Sequence, residues 1–192
     1  KVGNATTANG LAWSPGADTL YWSDTPSHTI RAWDWDARGN RLSHERIFRQ
    51  WPGKPPGWHS GSGGFKELGG VSGVSGVSGI SGLSGGISSG MNGYGGRPDG
   101  AAVDSEGNYH VAMFEGARLL KLSPDGELLA EIAVPAQCPT MPCFGGTDLR
   151  TLYLSTARQG RPADELQRWP DSGCVFSMRV DVPGLPVNFF LD

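Results

Sequence analysis

Apolar and polar residues alternate with a period of two through most of the chain, in short runs separated by Gly-, Asp- or Ser-containing stretches. "TLYWSD" (19–24), "TIRAWDWD" (29–36), "NYHVAM" (108–113), "RLLKLSP" (118–124) and "TLYLST" (151–156) are the clearest runs. Alternation of this kind, punctuated every 8 to 12 residues, predicts half-buried β-strands joined by tight turns. No run of period 3.6 competes with it, and only "RPADELQRW" (161–169) has room for a helical turn.

Three segments repeat one plan. "NGLAWSPGADTLYWSDTPSHTIRAWDWD" starts at Asn9, "DGAAVDSEGNYHVAMFEGARLLKLSPDGELLAEIAVP" at Asp99 and "GGTDLRTLYLSTA" at Gly145. Each opens on a small or polar residue plus glycine, runs through a short apolar strand, turns, and resumes as an alternating strand. A self-similar unit of about 40–50 residues built from short strands is the mark of a propeller blade. The expected fold class is therefore all-β, a β-propeller.

The plan is interrupted once. "VSGVSGVSGISGLSG" (71–85) is five triplets of an aliphatic residue, a serine and a glycine, inside a Gly/Ser-rich stretch over 60–96. Glycine at every third position suggests collagen, but the triplets carry no proline and are too few. Lengthening a connection between blades costs little, about 0.6 kcal/mol of closure entropy per doubling, so an insertion without a catalytic role is the reading adopted. Three parts follow: blades over 1–59, a low-complexity insertion over 60–96, and blades over 97–192. At the usual blade length these fill three to four blades, whereas a closed propeller has at least four and commonly more. The remaining blades are expected before Lys1.

Composition narrows the function. The net charge of −3 shows no excess of basic residues, which argues against nucleic acid or an anionic membrane as partner. No stretch approaches the ~20 apolar residues of a membrane span, so a soluble chain is expected. Three cysteines, Cys138, Cys143 and Cys174, form neither a disulfide framework nor paired C-x-x-C zinc spacing. Free thiols in a reducing compartment are the simpler reading, which points to the cytoplasm.

Chemistry is sought where repeats converge. The innermost strands of a propeller line a central channel, so equivalent repeat positions meet in space. Asn9 and Asp99 are such a pair, each directly before the glycine that opens its repeat. A carboxamide and a carboxylate are hard oxygen donors, suited to Ca²⁺, Mg²⁺ or Mn²⁺, with Zn²⁺ accommodated as well. On the residues alone a second reading leads, because Asn-Gly and Asp-Gly are also the common tight-turn dipeptides.

"NGLAWSPGADTLYWSDTPSHTIRAWDWD", "GRPDGAAVDSEGNYHVAMFEGARLLKLSPDGELLAEI", "PTMPCFGGTDLRTLYLSTAR" and "RPADELQRWPDSGCVFSM" together resemble the C-terminal half of the regucalcin, or senescence-marker-protein and gluconolactonase-like, family. That resemblance implies a six-bladed propeller with one divalent metal ion (Ca²⁺, Zn²⁺, Mg²⁺ or Mn²⁺) in its channel and hydrolysis of sugar lactones. It implies that Asn9, matching the family's "NGL", is a metal ligand. It implies that Asp99, matching "PDG", is both ligand and general base. A third ligand, a glutamate near the family's N-terminus, has no counterpart in this sequence, and neither do the family's Arg and Asn contacts to the sugar. The competing class is a non-catalytic propeller fragment that binds metal or a partner, either by self-association or by taking up a complementing N-terminal half.

Other residues receive simpler readings. His110 is read as a strand histidine satisfied by a partner, and His28, His44 and His59 as solvated. Asp104, Glu106 and Asn108 have the wrong spacing for a calcium loop and are read as a hairpin turn. Trp13, Trp22, Trp33 and Trp35 alternate along strands and are assigned to blade packing. Gly82-Leu83-Ser84-Gly85-Gly86 fits G-x-S-x-G, but that motif needs a strand-to-helix turn in an α/β sheet, and a serine-glycine repeat produces it by chance.

Overall fold

The computed structural model describes residues 5–60 and 94–186. Nearly all of the insertion over 60–96, with its triplets and its G-x-S-x-G string, lies outside them. Among the described residues the strands form three antiparallel sheets, each a meander in which sequence neighbours pair. The first contains β1 (Ala8–Trp13), β2 (Thr19–Asp24), β3 (Thr29–Asp36) and β4 (Arg41–Gln50). The second contains β5 (Arg97–Val103), β6 (Tyr109–Phe114), β7 (Arg118–Leu122) and β8 (Leu128–Ala133). The third contains β9 (Pro139–Gly145), β10 (Thr151–Thr156) and β11 (Val175–Arg179), with a short helix α1 (Ala163–Arg168) between the last two. These are the blades that the period-2 pattern predicts, and α1 is the one helical turn for which it left room. No helix among the described residues is long and apolar enough to cross a membrane.

Blades stack face to face, and the middle blade is buried on both faces. Tyr109, Val111 and Met113 of β6 join Tyr21, Ile30 and Ala32 of the first blade in one core. Ala112 points the other way, into a core with Phe144, Leu152 and Leu154 of the third blade. This is why β6 reads "YHVAMF" with five successive buried residues: a strand covered on both sides loses the polar half of its alternation. The tryptophans pack within the first blade, Trp22 stacking on Trp33 and Trp13 meeting Trp35 edge-on. All three cysteines are free thiols, Cys138 buried and the other two exposed.

The first strands of the blades, β1, β5 and β9, lie side by side, β1 packing on β5 and β5 on β9. Among the described residues their outward edges have no ladder partner, which is where a strand tolerates proline; Pro98 and Pro139 both sit there. Pairing aligns the three strands residue by residue: Ala8 opposes Asp24, Pro98 opposes Met113 and Pro139 opposes Thr156. In each, a one-residue register shift follows, after Asn9 in β1, after Pro98 in β5 and after Pro139 in β9. The third repeat therefore begins earlier than its glycines suggest. Gly145 closes the inner strand β9 instead of opening a repeat, and the position equivalent to Asn9 and Asp99 is Thr140.

Candidate functional site

Asn9 and Asp99 do not form hairpin turns. Both are strand residues, in β1 and β5, and the register shift beside each bends its strand as a β-bulge does. The glycines that follow them serve close packing. Gly10 has φ +57°, and a Cβ there would run into the Ser23 hydroxyl, the Tyr109 hydroxyl and the Asp99 carbonyl. A Cβ on Gly100 would meet the Thr140 carbonyl and Met141. Each glycine thus lets one inner strand approach the next, and the Tyr109 hydroxyl, donating to the Gly10 carbonyl at 2.6 Å, ties the first blade to the second.

The result is direct contact between the two candidate residues. Asn9 Nδ2 donates to Asp99 Oδ1 at 2.6 Å and to the Thr25 hydroxyl at 2.9 Å. Both amide hydrogens are engaged, leaving the carboxamide oxygen and the second Asp99 oxygen as acceptors. Burial pushes the Asp99 carboxyl up to about 6, against the opposing influence of Arg97 and the Asn9 hydrogen bond. A half-buried carboxylate with no cation in contact is under-compensated. One carboxylate and one carboxamide oxygen, side by side, fit a hard oxygen-seeking cation as two of its ligands. Among the described residues no group of three or more His, Cys, Asp or Glu side chains could hold a metal, so these two would need further donors from elsewhere. Thr140, the third equivalent position, brings a hydroxyl bonded to the Ser155 hydroxyl at 2.9 Å instead of a charged donor.

The other sequence candidates lie apart from this pair. Asp104 takes hydrogen bonds from the backbone of Glu106 and Asn108, which makes "DSEGN" the expected turn. His110 is buried against Asp104, Nε2 to Oδ2 at 2.9 Å, while its Nδ1 has no partner. His44 is exposed and pairs with Asp34, and His59 is exposed. His28 corrects the expectation of a solvated ring. It is buried with φ +56°, and its Nε2 meets the Tyr94 hydroxyl at 2.9 Å. Tyr94 also packs on Trp58, and burial pushes the His28 imidazole below its ordinary value, chiefly by desolvation.

A charged cluster adjoins the pair and was missed in the sequence. Buried Glu115 receives Lys54 Nζ at 2.9 and 3.1 Å, with guanidinium nitrogens of Arg97 at 3.6 Å and of Arg161 at 3.5 Å. Arg161 also chelates buried Glu165, at 2.8 and 2.6 Å. The Cys138 thiol lies 3.8 Å from Glu165, and burial pushes it up to about 12. Only Arg97 carried a usable signal, standing two residues before Asp99 on the same strand. Lys54 and Arg161 come from distant connections that no local pattern joins.

A family model described as "SMP-30/Gluconolactonase/LRE-like region" matches residues 1–158. The chain is 40% identical over 189 residues to a 6-deoxy-6-sulfogluconolactonase of Pseudomonas putida, covering 98% of this chain and 51% of the relative. It is 28% identical over 181 residues to regucalcin of Danio rerio, covering 93% and 48%. The fold matches a luciferin-regenerating enzyme with a TM-score of 0.67 at 25% identity, over 95% of this chain and 48% of that one. It also matches a regucalcin of Agrobacterium tumefaciens, described as calcium-binding, with a TM-score of 0.67 at 22% identity, over 94% and 48%. The chain spans about half the length of these relatives.

Proposed function

The chain belongs to the SMP-30/gluconolactonase/LRE-like family, and from that membership we propose that it supplies half of the catalytic channel of a metal-dependent sugar lactonase. The observation that carries the reading is the 2.6 Å contact between Asn9 and Asp99 on adjacent inner strands. Asn9 and Asp99 would hold a divalent cation, with Ca²⁺ the first choice because a related protein is described as calcium-binding. When bound, such an ion polarises an ester carbonyl and stabilises negative charge on its oxygen.

The chain's own residues account for the rest. Lactone hydrolysis adds water across the acyl C–O bond: a proton leaves the water as its oxygen attacks, and a proton reaches the ring oxygen as it departs. We assign the first to Asp99, whose second carboxylate oxygen the Asn9 hydrogen bond does not use. Asn9 orients that carboxylate through its amide, and Thr25 orients Asn9 in turn. One relative is named for a 6-deoxy-6-sulfogluconolactone, and on that support we take six-carbon aldonolactones as the first candidate substrates.

The test follows acid release from glucono-δ-lactone in a pH-stat, with added Ca²⁺, Mg²⁺, Mn²⁺ or Zn²⁺ and with chelator. The expected result is metal-dependent hydrolysis that Asp99→Ala abolishes. Hydrolysis that persists unchanged in chelator or in Asp99→Ala overturns the assignment.

A further inference from the structure

We propose that Lys54, Arg97 and Arg161 form a receptor for an oxyanion, sulfonate or phosphate, carried by the lactone on the carbon farthest from its carbonyl. The proposal rests on the lactonase reading of the neighbouring site and names the substrate class for it.

Three cations converge on one carboxylate. Lys54 bonds Glu115 directly, whereas Arg97 and Arg161 approach it only at 3.6 and 3.5 Å. Arg161 is held by its paired bonds to Glu165. Counted together, Lys54, Arg97 and Arg161 exceed Glu115 and Glu165 by one positive charge. Arg97 is the least satisfied, because its Nε is buried with no hydrogen-bond partner. A guanidinium offers five donors in a fixed fork and is suited to bidentate oxyanion contacts. A knot serving stability alone would match its donors to acceptors; this one leaves donors over.

Lys54 and Arg97 are also open to a ligand, whereas Arg161 stands behind them with its side chain 13% exposed. The Lys54 and Arg97 side chains are 34% and 28% exposed, while their counter-ion Glu115 is only 5% exposed. The negative group thus lies beneath the positive ones. Aromatic rings support the cations: Arg97 and Arg161 lie 5.2 and 5.4 Å from the centre of the Phe114 ring, and Lys54 lies 4.7 Å from that of Trp58. Such contacts position a cation without consuming its hydrogen-bonding edge. An arriving oxyanion would find the donors already oriented.

Placement next to the catalytic pair identifies what carries the anion. Arg97 and Asp99 are alternate residues of β5, both half-buried, and about 6–7 Å apart along the strand. The charge of Arg97 is felt at Asp99. A six-carbon lactone with its carbonyl at Asp99 can direct a C6 substituent toward Arg97. A neutral sugar would leave those donors to water.

The test compares neutral glucono-δ-lactone with its 6-phospho and 6-deoxy-6-sulfo counterparts, and separately measures binding of the ring-opened 6-phosphogluconate and 6-deoxy-6-sulfogluconate by calorimetry. The expected kcat/KM favours an anionic lactone at least tenfold. Arg97→Gln and Lys54→Gln each reduce that preference tenfold or more, and Arg97→Lys reduces it less because it keeps the charge. Comparing the two anions identifies which is taken. Equal kcat/KM for neutral and anionic lactones, or a preference untouched by both glutamine variants, overturns the proposal and leaves the lactonase reading standing. If no lactone is hydrolysed but an anionic sugar acid binds and Arg97→Gln abolishes binding, the receptor stands and the lactonase reading falls. If no anionic sugar acid binds, the receptor falls.

Discussion

Asn9 and Asp99 are 90 residues apart in the chain, and the Asn9 carboxamide donates to the Asp99 carboxylate at 2.6 Å. The bond joins the inner strands of two blades, so the same two side chains that would hold a cation also couple the blades that present it. Occupancy of the pair should therefore register as stability as well as activity. Saturating Ca²⁺ at one hundred times its Kd is expected to stabilise the folded chain by about 2.7 kcal/mol, read as a rise in melting temperature. Asp99→Asn, which keeps the size of the side chain and removes its charge, should lose most of that rise. An equal rise in the variant would place the cation elsewhere.

The glycine after Asn9 should be nearly irreplaceable. Gly10→Ala meets a left-handed backbone, costing about 1 kcal/mol, and drives a methyl into Ser23, Tyr109 and the Asp99 backbone. Overpacking adds about 1–3 kcal/mol. The total, about 2–4 kcal/mol, is measurable by urea unfolding. Gly57→Ala is the control: its φ is +73° but no atom lies within 4 Å of the added methyl, so only the backbone cost is expected. Equal losses in the two variants would show that close approach of β1 and β5 is not what Gly10 serves.

The limits of reading the sequence follow from the same geometry. Strand alternation is local, so "TLYWSD" and "NYHVAM" announce β2 and β6 and their place in a blade. The equivalence of Asn9 and Asp99 is legible because both precede a glycine needed for close strand packing. Thr140 has the same position without that glycine, and the eye is drawn to Gly145 and Gly146 instead; only the pairing of Pro139 with Thr156 reveals it. His28 looks solvated among "TPSHT" because Tyr94, which covers it, and Trp58, which packs on Tyr94, come from the long connection between blades. The cluster of Lys54, Glu115 and Arg161 draws on three connections, and no periodicity links them.

The cysteines give an inexpensive check on the third blade. Cys143 and Cys174 are exposed free thiols, while Cys138 is buried near Glu165 and burial pushes it up to about 12. The thiolate is the reactive form, so a colorimetric thiol reagent at pH 8 should titrate two cysteines quickly. The third should react only as fast as the blade opens, and denaturant should bring it level with the others. Glu165→Gln removes the partner of Arg161 as well, so it should loosen α1 and speed the third reaction. Three equally fast thiols in the native chain would contradict the packing of α1 over Cys138.

Asp104 should set the acid limit of the fold. Its carboxylate is fully buried between β5 and β6. It accepts hydrogen bonds from the Glu106 and Asn108 amides, the Asn108 side chain and His110, with Lys121 Nζ at 3.4 Å. Burial alone would raise the carboxyl, but the bonds from His110 and Asn108 outweigh it and hold it far below the usual carboxylate range. A carboxyl depressed in the folded state binds its proton more readily when unfolded. Its stabilisation is therefore fully present above the unfolded value of about 3.9 and drains away as pH falls below that. Asp104→Asn keeps the shape but loses the charge that His110 and Lys121 face, and should cost about 3 kcal/mol at pH 7. Urea unfolding at pH 7, 5 and 3 separates the outcomes. The gap between parent and variant is expected to hold from pH 7 to 5 and to narrow by pH 3. A gap of constant size down to pH 3 would mean that the Asp104 charge contributes nothing and that only its shape is required.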